Sequence, residues 1–218
     1  MPPSPQETNL NTKSTPASLL LPVLRGAAGV LVVRTYYFPM KTWSAIVLSG
    51  GTNKRFGSDK SAALLHGTTL LDHVLGFIPK EVKTVIVGKD VFEEPPLGGP
   101  VAGIARGLQE VDTEYVAIAA VDMPYGAALF AQLLEAIKND AAMPLDADGF
   151  KQPLCGIYRR TALLSAIEKL GNPHGQSMRA LCELLVIDEV QVDAHALVDV
   201  DTPEDLISAH SSPRLTGL

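Results

Sequence analysis

Between Trp43 and Ile137 the sequence repeats one pattern three times: an apolar run, a loop, then an amphipathic segment. The runs are Trp43–Leu48, Val82–Val87 and Tyr115–Ala120. Short and mostly apolar, they have the composition of strands covered on both faces. The segments that follow place apolar residues along one face of a helix: Leu71, Val74, Leu75 and Ile78 within a helix expected over 68–78; then Val101, Ile104, Ala105 and Leu108; then Leu129, Leu133 and Ile137. Pro100 suits the first turn of the second helix, where a missing N–H breaks no intrahelical bond. This alternation predicts an α/β fold, an open and mostly parallel sheet between two helical layers, α/β/α. Such sheets bind ligands at the carboxyl ends of their strands, so the loops after the three runs should converge.

The remainder is less regular. Gln152–Tyr158 reads as a strand, Thr161–Leu170 and Ser177–Leu185 as helices, and Val198–Asp201 as a strand end. Thr202-Pro-Glu-Asp205 has the form of a helix start, with Thr202 as cap, Pro203 at the first helical position and Asp205 as the capping acid. At the other end, residues 1–15 are polar and Pro-rich, the composition of disorder. Residues 17–33 are apolar, but Pro22 and Arg25 interrupt them and they are too short to span a membrane. The expected organisation is an extension over 1–39 followed by one domain over 40–218.

Composition excludes several functions. Eighteen Lys and Arg against 24 Asp and Glu give a net charge of −6, without the basic excess of a nucleic-acid-binding domain. Cys155 and Cys182 are too few for a disulfide framework and lack CxxC spacing, which suits the cytoplasm. No membrane partner is expected.

The chemistry concentrates in the loop after the first run, Leu48-Ser-Gly-Gly-Thr-Asn-Lys-Arg-Phe-Gly-Ser-Asp-Lys60. Glycines there free backbone N–H groups to face an anion. Arg55 and Lys60 add positive charge, one as a bidentate fork and one as a point charge. Together they suit a triphosphate, although neither GxxxxGK followed by Ser or Thr nor GxGxxG is present. Asp122 ends the third run. Asp199 and Asp201 are two residues apart, so on an extended strand they would face one side. The five histidines show no metal-ligand spacing.

The glycine-rich segment resembles the signature of the nucleotidyltransferase superfamily, in its molybdenum cofactor guanylyltransferase (MobA-like) branch. The resemblance continues in order through Gly99-Pro-Val-Ala-Gly103, Val121-Asp122-Met-Pro124, Gln152-Pro-Leu-Cys-Gly-Ile-Tyr-Arg159, Gly175-Gln-Ser-Met-Arg179 and Asp199-Val-Asp-Thr-Pro-Glu-Asp-Leu206. It implies a Rossmann-like nucleotidyltransferase fold. It also implies transfer of a nucleoside monophosphate, GMP from GTP, to the phosphate of molybdopterin or molybdenum cofactor, with release of pyrophosphate. Arg55, Lys60 and Asp122 would be catalytic. Leu48, Ser49, Gly50, Gly51, Glu94, Gly99, Pro100 and Gly103 would join them in binding the nucleotide. Asp122, with Asp201 and Asp199, would hold Mg²⁺, while Gln152, Pro153, Ser177 and Arg179 would face the acceptor. Molybdoenzymes or other cofactor-biosynthesis proteins are the implied protein partners. The family commonly has Asn where this chain has Asp199 and Asp201, whereas the related molybdenum cofactor cytidylyltransferases resemble the Asp form more closely. CMP transfer from CTP, or another small phosphorylated acceptor, therefore stays open, as does a nucleotide-binding adaptor without turnover.

Overall fold

Alternation along the first run divides the interior in two. In a computed structural model that describes residues 41–50 and 60–210, strand β1 (Trp43–Leu48) sends Ala45 and Val47 into one apolar cluster and Ile46 and Leu48 into another. Each cluster lies on one face of a six-stranded sheet. β1 pairs in parallel with β4 (Thr84–Val87) and with β5 (Tyr115–Ala120), the latter in the register Ile46 to Ile118. Beyond β5 come β7 (Cys155–Arg159), β6 (Ala141–Leu145) and β8 (Ile187–Gln191), giving the order β4-β1-β5-β7-β6-β8. Only β7 runs against its neighbours. The sheet is thus mixed but mostly parallel. A separate hairpin joins β2 (Leu64–Leu65) to β3 (Thr68–Thr69).

Helix α1 (Leu70–Gly76) and helix α3 (Phe130–Ala136) cover the Ala45 face. Helices α2 (Pro100–Gly107), α4 (Arg160–Leu170) and α5 (Met178–Cys182) cover the Ile46 face. α2 lies so close to β1 that a Cβ on Gly107 would stand 2.7 Å from Ile46 Cγ2. That approach puts the start of α2 beside the carboxyl ends of β1 and β4. Helix α6 (Pro203–His210) ends the described chain. Among the described residues no helix is long and apolar enough to cross a membrane.

Two expectations need correction, and two strands were not expected. The first helix starts at Leu70, not at 68, because Thr68 and Thr69 finish the hairpin and the Thr69 hydroxyl then caps the helix by accepting from Asp72 N–H. Strands β6 and β8 carry no alternating signal: Ala-Ala-Met-Pro-Leu is poor in β-branched residues, and Ile-Asp-Glu-Val-Gln is a polar edge paired on one side. Residues 198–201 form no strand; they leave a short 3-10 turn at Ala194–Leu197 and run irregularly to α6. The expected extension over 1–39, together with Gly51 and Arg55, lies outside the described residues.

Candidate active site

The carboxyl ends of β1, β4 and β5 are tied together by backbone bonds. Val121 N–H donates to Leu48 O at 3.1 Å, and Ser49 N–H donates to Val87 O at 3.0 Å. The Ser49 hydroxyl donates to the same carbonyl at 2.9 Å. Gly88, just past β4, has φ +95°, and a Cβ there would stand 2.8 Å from Gly50 N. Only glycine allows both that backbone conformation and that approach. Gly88 therefore sets where the glycine-rich segment leaves β1. Sequence reasoning passed over it, although a lone glycine closing an apolar run was a signal.

Asp122 is carried at the end of β5, and its carbonyl accepts from Val200 N–H at 2.9 Å. Val200 is fully buried, which pins the irregular segment between two aspartates onto the end of β5. Asp199 and Asp201 arrive beside Asp122 in this way, with carboxylate oxygens of all three within 4.8 Å of one another. The expectation that they meet a common ligand from one strand face had the wrong cause, since no strand is present. Asp201 is held further by the start of α6. The Asp205 carboxylate accepts from Asp201 N–H and Thr202 N–H, while the Thr202 hydroxyl accepts from Asp205 N–H. This is the capping box expected of Thr-Pro-Glu-Asp.

Lys60 completes the cluster. Its side chain is 11% exposed, and its ammonium donates to Asp201 Oδ1 at 2.7 Å and lies 3.6 Å from Asp122 Oδ2. A buried ammonium needs such partners. Among the described residues one cation, Lys60, faces three carboxylates, and their pKa values respond. Burial pushes Asp122 above its ordinary value, Lys60 pulls it back, and Asp201 pushes it up again. Burial, then the charges of Asp122 and Asp201, raise Asp199 to about 6 against the opposing pull of Lys60. The atoms that could hold a metal ion are all carboxylate oxygens, a donor set that suits Mg²⁺.

At the start of α2, Gly99 with φ +85° precedes Pro100, the first helical residue. Gly103, by contrast, is buried; a Cβ there would meet Leu48 Cδ2 at 3.1 Å, so it serves close packing of α2 on β1. Glu94 is exposed in the loop before α2. Gly175 N–H donates to Gly98 O at 2.8 Å, bringing the loop before α5, with His174, against the start of α2. That contact joins segments far apart in the chain.

The four residues expected to face an acceptor have local partners. The Gln152 side chain donates to Asp146 Oδ2 at 2.7 Å, and Pro153 O accepts from the Tyr158 hydroxyl at 2.5 Å. Ser177 caps α5 by accepting from Ala180 N–H. Arg179, 89% exposed in its side chain, pairs with Glu183 one turn on, at 3.1 Å.

Residues 45–191 match the MobA-like NTP transferase domain. That span includes Lys60 and Asp122 and stops short of Asp199 and Asp201. The chain is similar to a probable molybdenum cofactor guanylyltransferase of Nostoc sp., with 32% identity over 77% of this chain and 90% of the relative. A relative of the same description from Bacillus cereus is 28% identical over 78% of this chain and 96% of its own length. Among solved structures, the molybdopterin-guanine dinucleotide biosynthesis protein A of Archaeoglobus fulgidus has a TM-score of 0.62 at 21% identity, covering 77% of this chain and 97% of the other. That likeness supports the Rossmann-like nucleotidyltransferase fold.

Proposed function

This chain belongs to the MobA-like NTP transferase family and is a nucleotidyltransferase, and from that premise we propose that it transfers GMP from GTP to the phosphate of a molybdopterin-type cofactor. The observation that carries the reading is Lys60 set against Asp122, Asp199 and Asp201 where β1 and β5 end.

In the reaction an oxygen of the acceptor's phosphate monoester attacks the α-phosphorus of the triphosphate. A new P–O bond forms, the α–β bridging bond breaks, and pyrophosphate leaves with the electron pair. No general base is needed, because a phosphate monoester is already ionised near neutral pH. The protein's work is alignment and charge neutralisation. Lys60 neutralises charge at the α-phosphate and the leaving group. Arg55 grips the β- and γ-phosphates. The backbone of Leu48–Gly51 and the start of α2 at Gly99–Pro100 receive the nucleotide, with free helix N–H groups facing negative charge. Glu94 accepts from the base. Asp122, Asp201 and Asp199 would hold Mg²⁺. When bound, the ion supplies Lewis-acid neutralisation of phosphate charge. Gln152, Pro153, Ser177 and Arg179 line the acceptor side, and Arg179 exchanges its exposed pair with Glu183 for the acceptor's phosphate.

The descriptions of the relatives favour guanine. Asp199 and Asp201 favour a second reading, CMP transfer from CTP. Both cysteines are free thiols, in keeping with a cytoplasmic enzyme. The test is purified protein with Mg²⁺, molybdenum cofactor and either GTP or CTP, read as pyrophosphate release. Release with GTP supports the first reading and release with CTP the second. No release with either defeats both.

A further inference from the structure

The cluster holds a contradiction if it is only a metal site. Among the described residues the cation already in it is Lys60, whose ammonium lies 2.7 Å from Asp201 Oδ1 and 3.6 Å from Asp122 Oδ2. A second cation at those oxygens would sit against the ammonium and be repelled. Lys60 is also poorly placed to be indifferent, because its side chain is 11% exposed and a buried ammonium needs anionic partners. Its four-carbon stem nevertheless allows the head to swing when a stronger anion is offered.

We propose that Lys60 is a place-holding cation: in the nucleotide-free protein it occupies the carboxylates that a divalent ion needs, so metal binding waits for the phosphates that draw Lys60 away. This rests on the reading of Asp122, Asp199 and Asp201 as the metal ligands of a nucleotidyltransferase. One lysine then has two successive partners. Before substrate binds, it limits the repulsion among three clustered carboxylates. Once a triphosphate is present, the more concentrated negative charge of the phosphates competes for it. Asp201 and Asp122 are released as Lys60 leaves, and the site becomes strongly anionic only when a nucleotide is in place. The physical consequence is an order of events: the free protein resists loading with metal alone.

The experiment titrates the full chain with Mn²⁺ alone, without nucleotide, following free Mn²⁺ by electron paramagnetic resonance. Lys60→Met keeps the length of the side chain and removes its charge. It should bind Mn²⁺ about tenfold more tightly than the unaltered protein, or better, because the competing cation is gone. Lys151→Met removes the same charge from a pair with Glu189 and should change Mn²⁺ affinity by less than about twofold, since that pair is exposed to solvent. If Lys60→Met fails to give a native circular dichroism spectrum, Lys60→Gln takes its place with the same expectation. Equal or weaker Mn²⁺ binding by the Lys60 variant overturns the place-holding role while leaving the metal site standing. Equal tightening by Lys151→Met also overturns it, because net charge alone would then explain the effect. Absence of Mn²⁺ binding in every variant also overturns the place-holding role, because removal of Lys60 then opens no site. The same titration repeated with GTP present tests the metal assignment separately, and absence of binding by the protein there overturns it.

Discussion

The acidic cluster beside Lys60 and the helix start just beyond it use the same side chain in opposite ways. In the cluster, burial holds the pKa values of Asp122 and Asp199 above their ordinary value, and neighbouring carboxylates add to the effect. At the start of α6, hydrogen bonds from the Thr202 hydroxyl and N–H hold Asp205 below its own. Asp188, at the beginning of β8, resembles Asp205: burial pushes it up, but N–H groups of Asn139 and Lys138 outweigh that push. Asp205 and Asp188 are satisfied by the fold they help to build. Among the described residues, Asp122 and Asp199 carry repulsion that Lys60 does not cancel. Unrelieved charge of this kind marks a place where the fold is arranged for something other than its own stability.

The sharpest way to break that contrast is Asp122→Asn. It should lower pyrophosphate release by about a thousandfold, the scale of losing a charge-stabilising group from a transition state, while the circular dichroism spectrum stays native. Activity within tenfold of the unaltered protein would remove the cluster from the reaction. Thr202→Ala tests the satisfied side. It deletes the cap of α6 and should destabilise the protein by about 1 kcal/mol in urea unfolding, with Asp201 less firmly held. An unchanged urea midpoint would mean that the capping box contributes nothing to folding.

Asp199→Asn should do the reverse of a structural mutation. Because folding raises the Asp199 pKa to about 6 from an ordinary 3.8, its contribution is intact below the ordinary value and is lost as pH rises through 6. The metal-free variant should therefore be more stable than the parent at pH 7, by a few tenths to about 1 kcal/mol once solvent screening is allowed for. The gain should vanish below the ordinary carboxylate range. Asp205 carries the opposite sign, its contribution being lost as pH falls through its lowered value. A variant less stable than the parent at pH 7 would put Asp199 among the satisfied acids. The smallest effect belongs to Arg179→Ala. Its exposed pair with Glu183 should be worth no more than about 0.5 kcal/mol in unfolding. The KM for the acceptor should rise, as the proposed grip of Arg179 on the acceptor's phosphate requires; an unchanged KM would leave Arg179 a surface residue.

The parts of the fold legible in the sequence are those whose signal is local. β1 and β5 match their apolar runs because alternation along a doubly covered strand is written in consecutive residues. Pro100, Thr202 and Pro203 mark helix starts because capping depends on neighbours within one turn. β6 and β8 were illegible because their strand character comes from pairing with β7 and with each other rather than from their own composition. At the site, Lys60, Asp122, Asp199 and Asp201 were each named from sequence and do stand together. Their route to one another was not legible. A single backbone bond from a buried Val200 to Asp122 O brings the last two in, and no periodicity reports it.

By itself the sequence determined which residue types stand at the ends of the parallel strands: glycines, a lysine and an aspartate where an anion can be received. Those choices rest on backbone freedom and charge, properties a residue carries into any fold. Only the tertiary structure decided how they are shared. It buried Lys60 among three carboxylates, committed Ser49 and Ser177 to backbone bonds, and set Gly88 against Gly50. Partnership depends on distance and on exclusion of water, and both arise only when segments remote in the chain are packed together.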